Sequence, residues 1–127
     1  MARGAKGYLI DSVIVIDHLN GIEAATEFLG SVGTAGMLSV ITRAEVLSGV
    51  ARTDLAIVRR LLDQFRTLEI TTSVGDRAAR LRRRNGWKLP DALQAALAIE
   101  HGSYLATRNT RDFPPMRFRF VRVPYER

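Results

Sequence analysis

The sequence has no cysteine, only two histidines, and no apolar run near the ~18 residues that a membrane-spanning helix needs. The lack of cysteine excludes disulfide scaffolds, zinc knuckles and thiol catalysis. With so few histidines, a zinc-type or other soft metal site is disfavoured. The basic start of the chain is followed by a short apolar run that ends at Asp11, so we predict no signal peptide. These absences allow a reducing cytoplasm, where we expect the protein to reside.

The 127 residues are enough for one compact unit, and 46% of them are hydrophobic while 25% are charged. We therefore expect a single domain over residues 1–127, with residues 1–7 loose. Nineteen Lys and Arg residues against thirteen Asp and Glu give a net charge of +6. Such a balance favours a polyanionic partner, for example nucleic acid or an acidic protein segment, although net charge also serves solubility.

Short apolar runs alternate with helical hydrophobic patterns along the chain, which predicts an α/β fold with a mostly parallel sheet of four to five strands flanked by helices. The predicted strands are 8–10, 37–41, 68–71, 104–107 and 118–123. The predicted helices are 13–19, 22–29, 42–49, 55–65, 73–85 and 91–100. We expect Gly30 and Gly33 to end the second helix.

Four acidic residues follow predicted strands or begin predicted helices: Asp11, Glu45, Asp91 and Asp112. The carboxyl ends of parallel strands form one edge of the sheet, where ligands bind, so the fold could bring these acids together. Each acid taken alone has a structural explanation as a helix cap. The segment from Thr42 to Glu45 matches a capping box, and Asp91 behind Pro90 suits a first helical turn.

Carboxylates forced together repel one another, and a hard divalent cation removes that repulsion. Mg²⁺ prefers oxygen ligands, keeps several waters and uses few carboxylates together with substrate phosphate oxygens. An acid-lined metal site in a basic protein suits cleavage of a phosphodiester bond by a metal-activated water. Asp17 lies farther along the first helix, and we interpret it as a surface or helix-packing acid.

Four local segments resemble the motifs of PIN-domain proteins, in their order and spacing. They are LIDSVIVID from Leu9, ITRAEVLSG from Ile41, PDALQAA from Pro90 and ATRNTRDF from Ala106. On a chain of this length they look like the VapC toxins of bacterial toxin–antitoxin pairs. The resemblance implies a PIN-like fold and a Mg²⁺- or Mn²⁺-dependent endoribonuclease, usually dimeric and inhibited by a cognate antitoxin.

The resemblance also implies roles for individual residues. Asp11, Glu45, Asp91 and Asp112 become the catalytic acids that hold the metal, and Ser12, Thr107 and Asn109 become supporting polar residues. Gln94 stands where an apolar residue is expected, which bears on helix packing. Arg108 and Arg111 flank the expected site and are candidate RNA contacts. The arginines 80 and 82–84 form a basic cluster that suits phosphate, an acidic antitoxin segment or solvent equally.

Two other classes of protein are alternatives to a metal-dependent ribonuclease. A receiver domain or a haloacid-dehalogenase-type phosphatase fits poorly, because no second acid precedes Asp11 and the third position after the strand is Val13. The stronger alternative is a non-catalytic RNA- or protein-binding module whose acids are helix caps. Metal binding distinguishes the two, because caps need no cation.

Overall fold

The computed structural model describes residues 6–126, which form five strands and six helices in alternation. The strands are β1 (Tyr8–Ile10), β2 (Gly36–Ser39), β3 (Arg66–Leu68), β4 (Tyr104–Ala106) and β5 (Val121–Arg122). The helices are α1 (Ser12–Leu19), α2 (Glu23–Val32), α3 (Val40–Gly49), α4 (Leu55–Leu62), α5 (Thr72–Asn85) and α6 (Leu89–Glu100). Short 3₁₀ turns at Gly33–Ala35 and Arg52–Asp54 precede β2 and α4.

All strand pairs in the described sheet are parallel, and their order is β3-β2-β1-β4-β5. The central strand β1 pairs Leu9 with Met37 of β2 and with Leu105 of β4. Because successive strand residues point to opposite faces, Leu9 and Ile10 enter two separate hydrophobic clusters. One cluster holds α5 and α6 on the sheet, and the other holds α1 to α4. The predicted parallel α/β fold is confirmed.

Several boundaries differ from the sequence-based expectation. Helix α2 runs through Gly30 to Val32 because Leu29 and Val32 are both buried, and that packing outweighs the weak helix propensity of glycine. The predicted strand over 118–123 shrinks to Val121–Arg122. Phe118 instead packs on Trp87 and Phe120 at ring-centroid distances of 5.2 and 5.8 Å, which turns the chain before the strand begins.

Of the segment expected to be loose, residues 1–5 lie outside the described part of the chain. Gly7 does not fit that expectation, because its carbonyl oxygen accepts a hydrogen bond of 2.9 Å from the Tyr104 N–H at the start of β4. None of the helices within residues 6–126 combines the length and hydrophobicity that crossing a membrane requires.

Candidate active site

The carboxyl ends of β1, β2 and β4 lie side by side, and the chain leaves each of them into a segment that carries an acid. Asp11 directly follows β1, Glu45 lies in the helix that follows β2, and Asp112 lies in the loop after β4. Asp91 is in the first turn of α6, which packs on β1 and β4. The topology therefore brings four acids that span residues 11–112 to one edge of the sheet.

Asp11 has the helix-capping role that the sequence allowed, and it is also hydrogen-bonded to the end of β4. It is the N-cap residue of α1, and its Oδ1 accepts a hydrogen bond of 2.8 Å from the Ser12 N–H. Its Oδ2 accepts a second hydrogen bond of 2.7 Å from the Thr107 hydroxyl. The carboxylate is thus fixed between the start of α1 and the end of β4, and it stays only half-buried.

The loop after β4 is ordered by hydrogen bonds that its own side chains make with one another and with its main chain. The Thr107 hydroxyl, fully buried, accepts a hydrogen bond of 3.0 Å from the Asn109 N–H. The Asn109 Nδ2 donates to the Asp112 Oδ2 at 3.0 Å, and the Asp112 N–H donates to the Asn109 Oδ1 at 3.3 Å. The structure therefore places Thr107 and Asn109 beside Asp11 and Asp112, where the family resemblance had put supporting residues.

The pKa of the Asp91 carboxyl depends on its burial and on the acids around it. Burial raises the pKa of the Asp91 carboxyl, and the negative charges of three other acids raise the pKa further. Those acids are Asp11, Asp112 and Glu45, while Lys88 opposes the shift. The carboxylate therefore lies within electrostatic reach of all three other predicted site acids. Helix α6 begins at Leu89 with Lys88 at the cap position, so Asp91 is not the cap residue.

Glu45 does not belong to a capping box. Helix α3 starts at Val40, and its cap is Ser39, whose hydroxyl oxygen accepts a hydrogen bond of 3.0 Å from the Thr42 N–H. The expected start at Thr42 was wrong because Ser39, at the end of β2, caps the helix three residues earlier. Glu45 consequently lies in the body of α3 with an exposed side chain.

The four carboxylates share an edge but do not converge into a ready-made cluster. Within residues 6–126, no three acidic or histidine side chains lie close enough to hold one metal ion. The donor set still fits a hard cation such as Mg²⁺, which typically takes one or two protein carboxylates and fills its other positions with water and phosphate oxygens. The mutual repulsion at Asp91 is the kind of charge excess that such a cation neutralises.

The side chain of Arg108, which the sequence suggested as an RNA contact, is hydrogen-bonded within the protein. Its guanidinium donates two hydrogen bonds to the Asp17 carboxylate, from Nε at 2.6 Å and from the terminal nitrogen at 3.1 Å. The Tyr125 hydroxyl donates to the same carboxylate at 2.7 Å. Burial, together with Asp17, raises the pKa of Tyr125 to about 12, so the hydroxyl stays protonated as a donor.

Asp17 is buried, so the helix-packing interpretation is correct and the surface interpretation is wrong. The periodicity of α1 could have revealed this, because Asp17 falls three residues after the buried Ile14. Its partnership with Arg108 lies 91 residues away in the sequence and leaves no local signal there. The pair attaches the loop after β4 to α1.

Other basic side chains remain exposed around the edge. Arg111 borders a small cleft together with Trp87 and Asp112, and Lys88 is close enough to Asp91 to affect its pKa. The buried Trp87 links this cleft to the end of α5, because its indole N–H donates to the Asp112 carbonyl at 2.9 Å and its own carbonyl accepts from Arg82 at 3.2 Å. Arg83 lines an adjoining shallow cleft.

Comparison with known proteins yields consistent similarities. The family model of the PIN domain matches residues 8–118, which include all four acids. Ribonuclease VapC10 of Mycobacterium tuberculosis is 37% identical over 113 residues, which cover 84% of this chain and 85% of that protein. Ribonuclease VapC19 of the same organism is 33% identical over 114 residues, covering 84% of this chain and 91% of that protein. A chain in a toxin–antitoxin complex from Klebsiella pneumoniae is 33% identical with a TM-score of 0.87, covering 94% of this chain and 99% of that chain.

Proposed function

Since the chain belongs to the PIN-domain family and is a VapC-type member of it, we propose that it is a divalent-metal-dependent endoribonuclease that a cognate antitoxin inhibits. The observation that carries the proposal is the placement of Asp11, Glu45, Asp91 and Asp112 at the carboxyl edge of the parallel sheet. Burial and then the three neighbouring acids raise the pKa of Asp91, in agreement with that placement. Neither Asp91 nor Glu45 occupies a cap position, although Asp91 does lie in the first turn of α6 behind Pro90, as the structural explanation expected.

We assign Asp11, Glu45, Asp91 and Asp112 to the binding of Mg²⁺ or Mn²⁺. A divalent ion supplies activation of water and stabilisation of negative charge on the phosphodiester. Asp11 and Asp112 provide carboxylates whose orientation is fixed by Ser12, Thr107 and Asn109. Asp91 and Glu45 provide carboxylates without a hydrogen-bond donor among residues 6–126, which leaves their oxygens available to an ion.

We further propose that substrate RNA approaches along the exposed basic side chains next to the acids. Arg111 lines a cleft with Asp112, and Lys88 is close enough to Asp91 to lower its pKa. At the end of α5, Arg82 donates to the Trp87 carbonyl and Arg83 lines a cleft with Trp87. Arg108 is assigned to positioning the loop after β4 instead, because Asp17 occupies its guanidinium. These cations would hold the phosphate backbone while the acids act on one bond.

The antitoxin and a second copy of the chain are the proposed protein partners. Helices α1 and α4 both pack against α3, and they expose the large apolar side chains of Ile16, Leu19 and Ile57. Exposed apolar residues on adjoining helices support an interface with another protein. Light scattering of the purified chain tests the homodimer, and titration with the antitoxin during RNA cleavage tests the inhibitory partner.

The test of the function is cleavage of total cellular RNA by the purified, antitoxin-free protein in Mg²⁺, in Mn²⁺ and in EDTA. We expect discrete fragments with 5′-phosphate and 3′-hydroxyl ends that form only with metal. Asp91→Asn should abolish cleavage, whereas Asp76→Asn on the exposed side of α5 should not. Full activity in EDTA, or in a folded Asp91→Asn variant, would overturn the proposal and favour a non-catalytic binding module.

A further inference from the structure

Gln94 occupies a position in α6 that faces the interior of the protein, where an apolar side chain was expected. Its side chain is buried, and its Nε2 donates a hydrogen bond of 2.8 Å to the Thr42 hydroxyl of α3. Its Oε1 is also buried but has no hydrogen-bond partner within residues 6–126. A buried carbonyl oxygen without a donor is destabilising. Stability therefore does not explain an amide at this position.

The hydrogen bond joins the two helices that carry the less constrained acids. Gln94 is three residues after Asp91 on α6, and Thr42 is three residues before Glu45 on α3. Residues at this spacing share a helix face, so each bonding side chain lies one turn from an acid. The Thr42 hydroxyl is in turn 3.4 Å from the Ile10 carbonyl oxygen, directly before Asp11.

We propose that Gln94 is a positioning residue that sets the separation of Asp91 and Glu45 through Thr42. This inference rests on the proposed function, because it concerns the same metal-binding acids. Helices α6 and α3 belong to different hydrophobic clusters on opposite faces of the sheet, so apolar packing between them does not set their relative position. The buried hydrogen bond of 2.8 Å between their side chains fixes both a distance and a direction. The orphaned Oε1 is the energetic cost of that constraint.

Gln94→Met tests the proposal, because it keeps the side-chain length while removing both the hydrogen bond and the orphaned oxygen. Mn²⁺ affinity is measured by electron paramagnetic resonance of free Mn²⁺, and stability is measured separately by urea unfolding in EDTA. We expect an unfolding midpoint equal to or above that of the unmodified protein and a Mn²⁺ affinity about 10- to 100-fold weaker. Gln64→Met, the same change on the surface, should alter neither.

Thr42 provides the matching variants on the other helix. Thr42→Val removes the hydroxyl and should weaken Mn²⁺ binding as Gln94→Met does, whereas Thr42→Ser keeps it and should retain the affinity. The double variant of Gln94→Met and Thr42→Val should bind no more weakly than either single variant, because both remove one interaction. If one of the two single variants folds poorly, the other still tests the inference.

Two results would overturn the inference. One is unchanged Mn²⁺ affinity in Gln94→Met, and the other is an affinity loss that only parallels a loss of stability in both Gln94→Met and Thr42→Val. Either would stand beside an unmodified protein that binds Mn²⁺ and cleaves RNA, so the proposed function would survive. An unmodified protein that neither binds Mn²⁺ nor cleaves RNA would refute the proposed function and this inference together.

Discussion

Two halves of the candidate site are built differently. The loop half, Asp11 with Thr107, Asn109 and Asp112, is linked by side-chain hydrogen bonds of 2.7 to 3.3 Å. The helical half consists of Glu45 and Asp91, whose carboxylates accept no hydrogen bond from the described residues. Beneath them, the single bond from Gln94 to Thr42 connects their helices. Orientation is thus provided by neutral donors in one half and by helix placement in the other.

The two halves also differ in how the negative charge of their carboxylates is compensated. A carboxylate that accepts hydrogen bonds has its charge partly compensated, as Asp11 does through Ser12 and Thr107. Asp91 has no such donor, and burial together with three neighbouring acids raises its pKa. Asp91 is therefore the acid at which a cation would relieve an unfavourable charge, whereas the loop half is already ordered by hydrogen bonds. Substitutions can disturb one half at a time.

We expect the largest effect, a loss of stability, from breaking the ion pair of Arg108 with Asp17, which attaches the loop after β4 to α1. Arg108→Gln breaks two charge-assisted hydrogen bonds to the buried Asp17 and should lower the free energy of unfolding by about 3 kcal/mol. Arg43→Gln is the control, because Arg43 is as exposed as Arg108 but its 2.8 Å partner Asp63 is exposed, so the pair should contribute at most about 1 kcal/mol. Urea unfolding measures both, and equal small losses would contradict the assignment of Arg108.

Within the loop half, Thr107→Val removes the hydroxyl that donates to Asp11 and accepts from Asn109. We expect RNA cleavage and Mn²⁺ affinity to fall about 10- to 100-fold, as is common when a partner of a metal ligand is lost. Thr107→Ser should retain most of both. Thr110→Val alters an exposed threonine of the same loop, so a similar fall in that variant would show that the loop is merely sensitive to substitution.

In the metal-free protein, substituting an acid of one half should change the stability in the opposite direction to substituting an acid of the other half. The raised pKa of Asp91 means that the folded state holds its proton to a higher pH than the unfolded state, whose ordinary value is 3.8. Stability is therefore lost as pH rises through that interval. At pH 7 in EDTA, Asp91→Asn should stabilise the protein by no more than about 1 kcal/mol, since the carboxyl is partly solvated.

The gain from Asp91→Asn should shrink as pH falls toward 4, because the unmodified carboxyl then becomes protonated. Asp11→Ala should instead destabilise the protein by about 1 kcal/mol, because α1 loses its cap. Urea unfolding across this pH range measures both. Destabilisation by Asp91→Asn at pH 7 would argue that its carboxylate has a structural partner.

The smallest effect is expected on RNA affinity, from substituting arginines at the end of α5. RNA affinity measured by fluorescence anisotropy in EDTA should fall with salt, and each lost phosphate contact on a single strand should reduce the logarithmic slope by about 0.7. Arg83→Gln and Arg84→Gln should each show this reduction. Arg59→Gln and Arg60→Gln remove the same charge from α4 and should leave the slope unchanged. Equal slopes in all four variants would mean that RNA does not contact the end of α5.

Sequence patterns predicted the strand–helix alternation because each element carries its own hydrophobic periodicity. They also selected the four acids as candidates: Asp11 and Asp112 do follow strands and Asp91 lies in the first turn of α6, whereas Glu45 lies in the body of α3. The predicted boundaries were wrong where an earlier cap residue or the packing of buried side chains determines where a helix begins or ends. Ser39 caps α3 ahead of Thr42, and the packing of Leu29 and Val32 carries α2 through Gly30.

The residues that contact the acids or connect their helices were also predicted only in part. Thr107 and Asn109 were suggested only by resemblance, whereas the pairing of Arg108 with Asp17 had no local pattern at all. Gln94 was noticed as a departure from apolar packing, but its partner Thr42 is 52 residues away. A hydrogen bond at that separation depends on how two helices are placed on the sheet, and a single sequence does not encode that placement locally.

The order of the strands has a consequence for the synthesis of the chain. Asp11 emerges from the ribosome early, yet the donor that orients it, Thr107, is on the far side of β4, and Asp112 follows later still. Strand β4 pairs directly with β1, so the centre of the sheet stays open until the last fifth of the chain has been made. A translation product that stops before residue 104 has the first three acids but no assembled edge. The candidate site is therefore assembled only when synthesis of the chain is nearly finished.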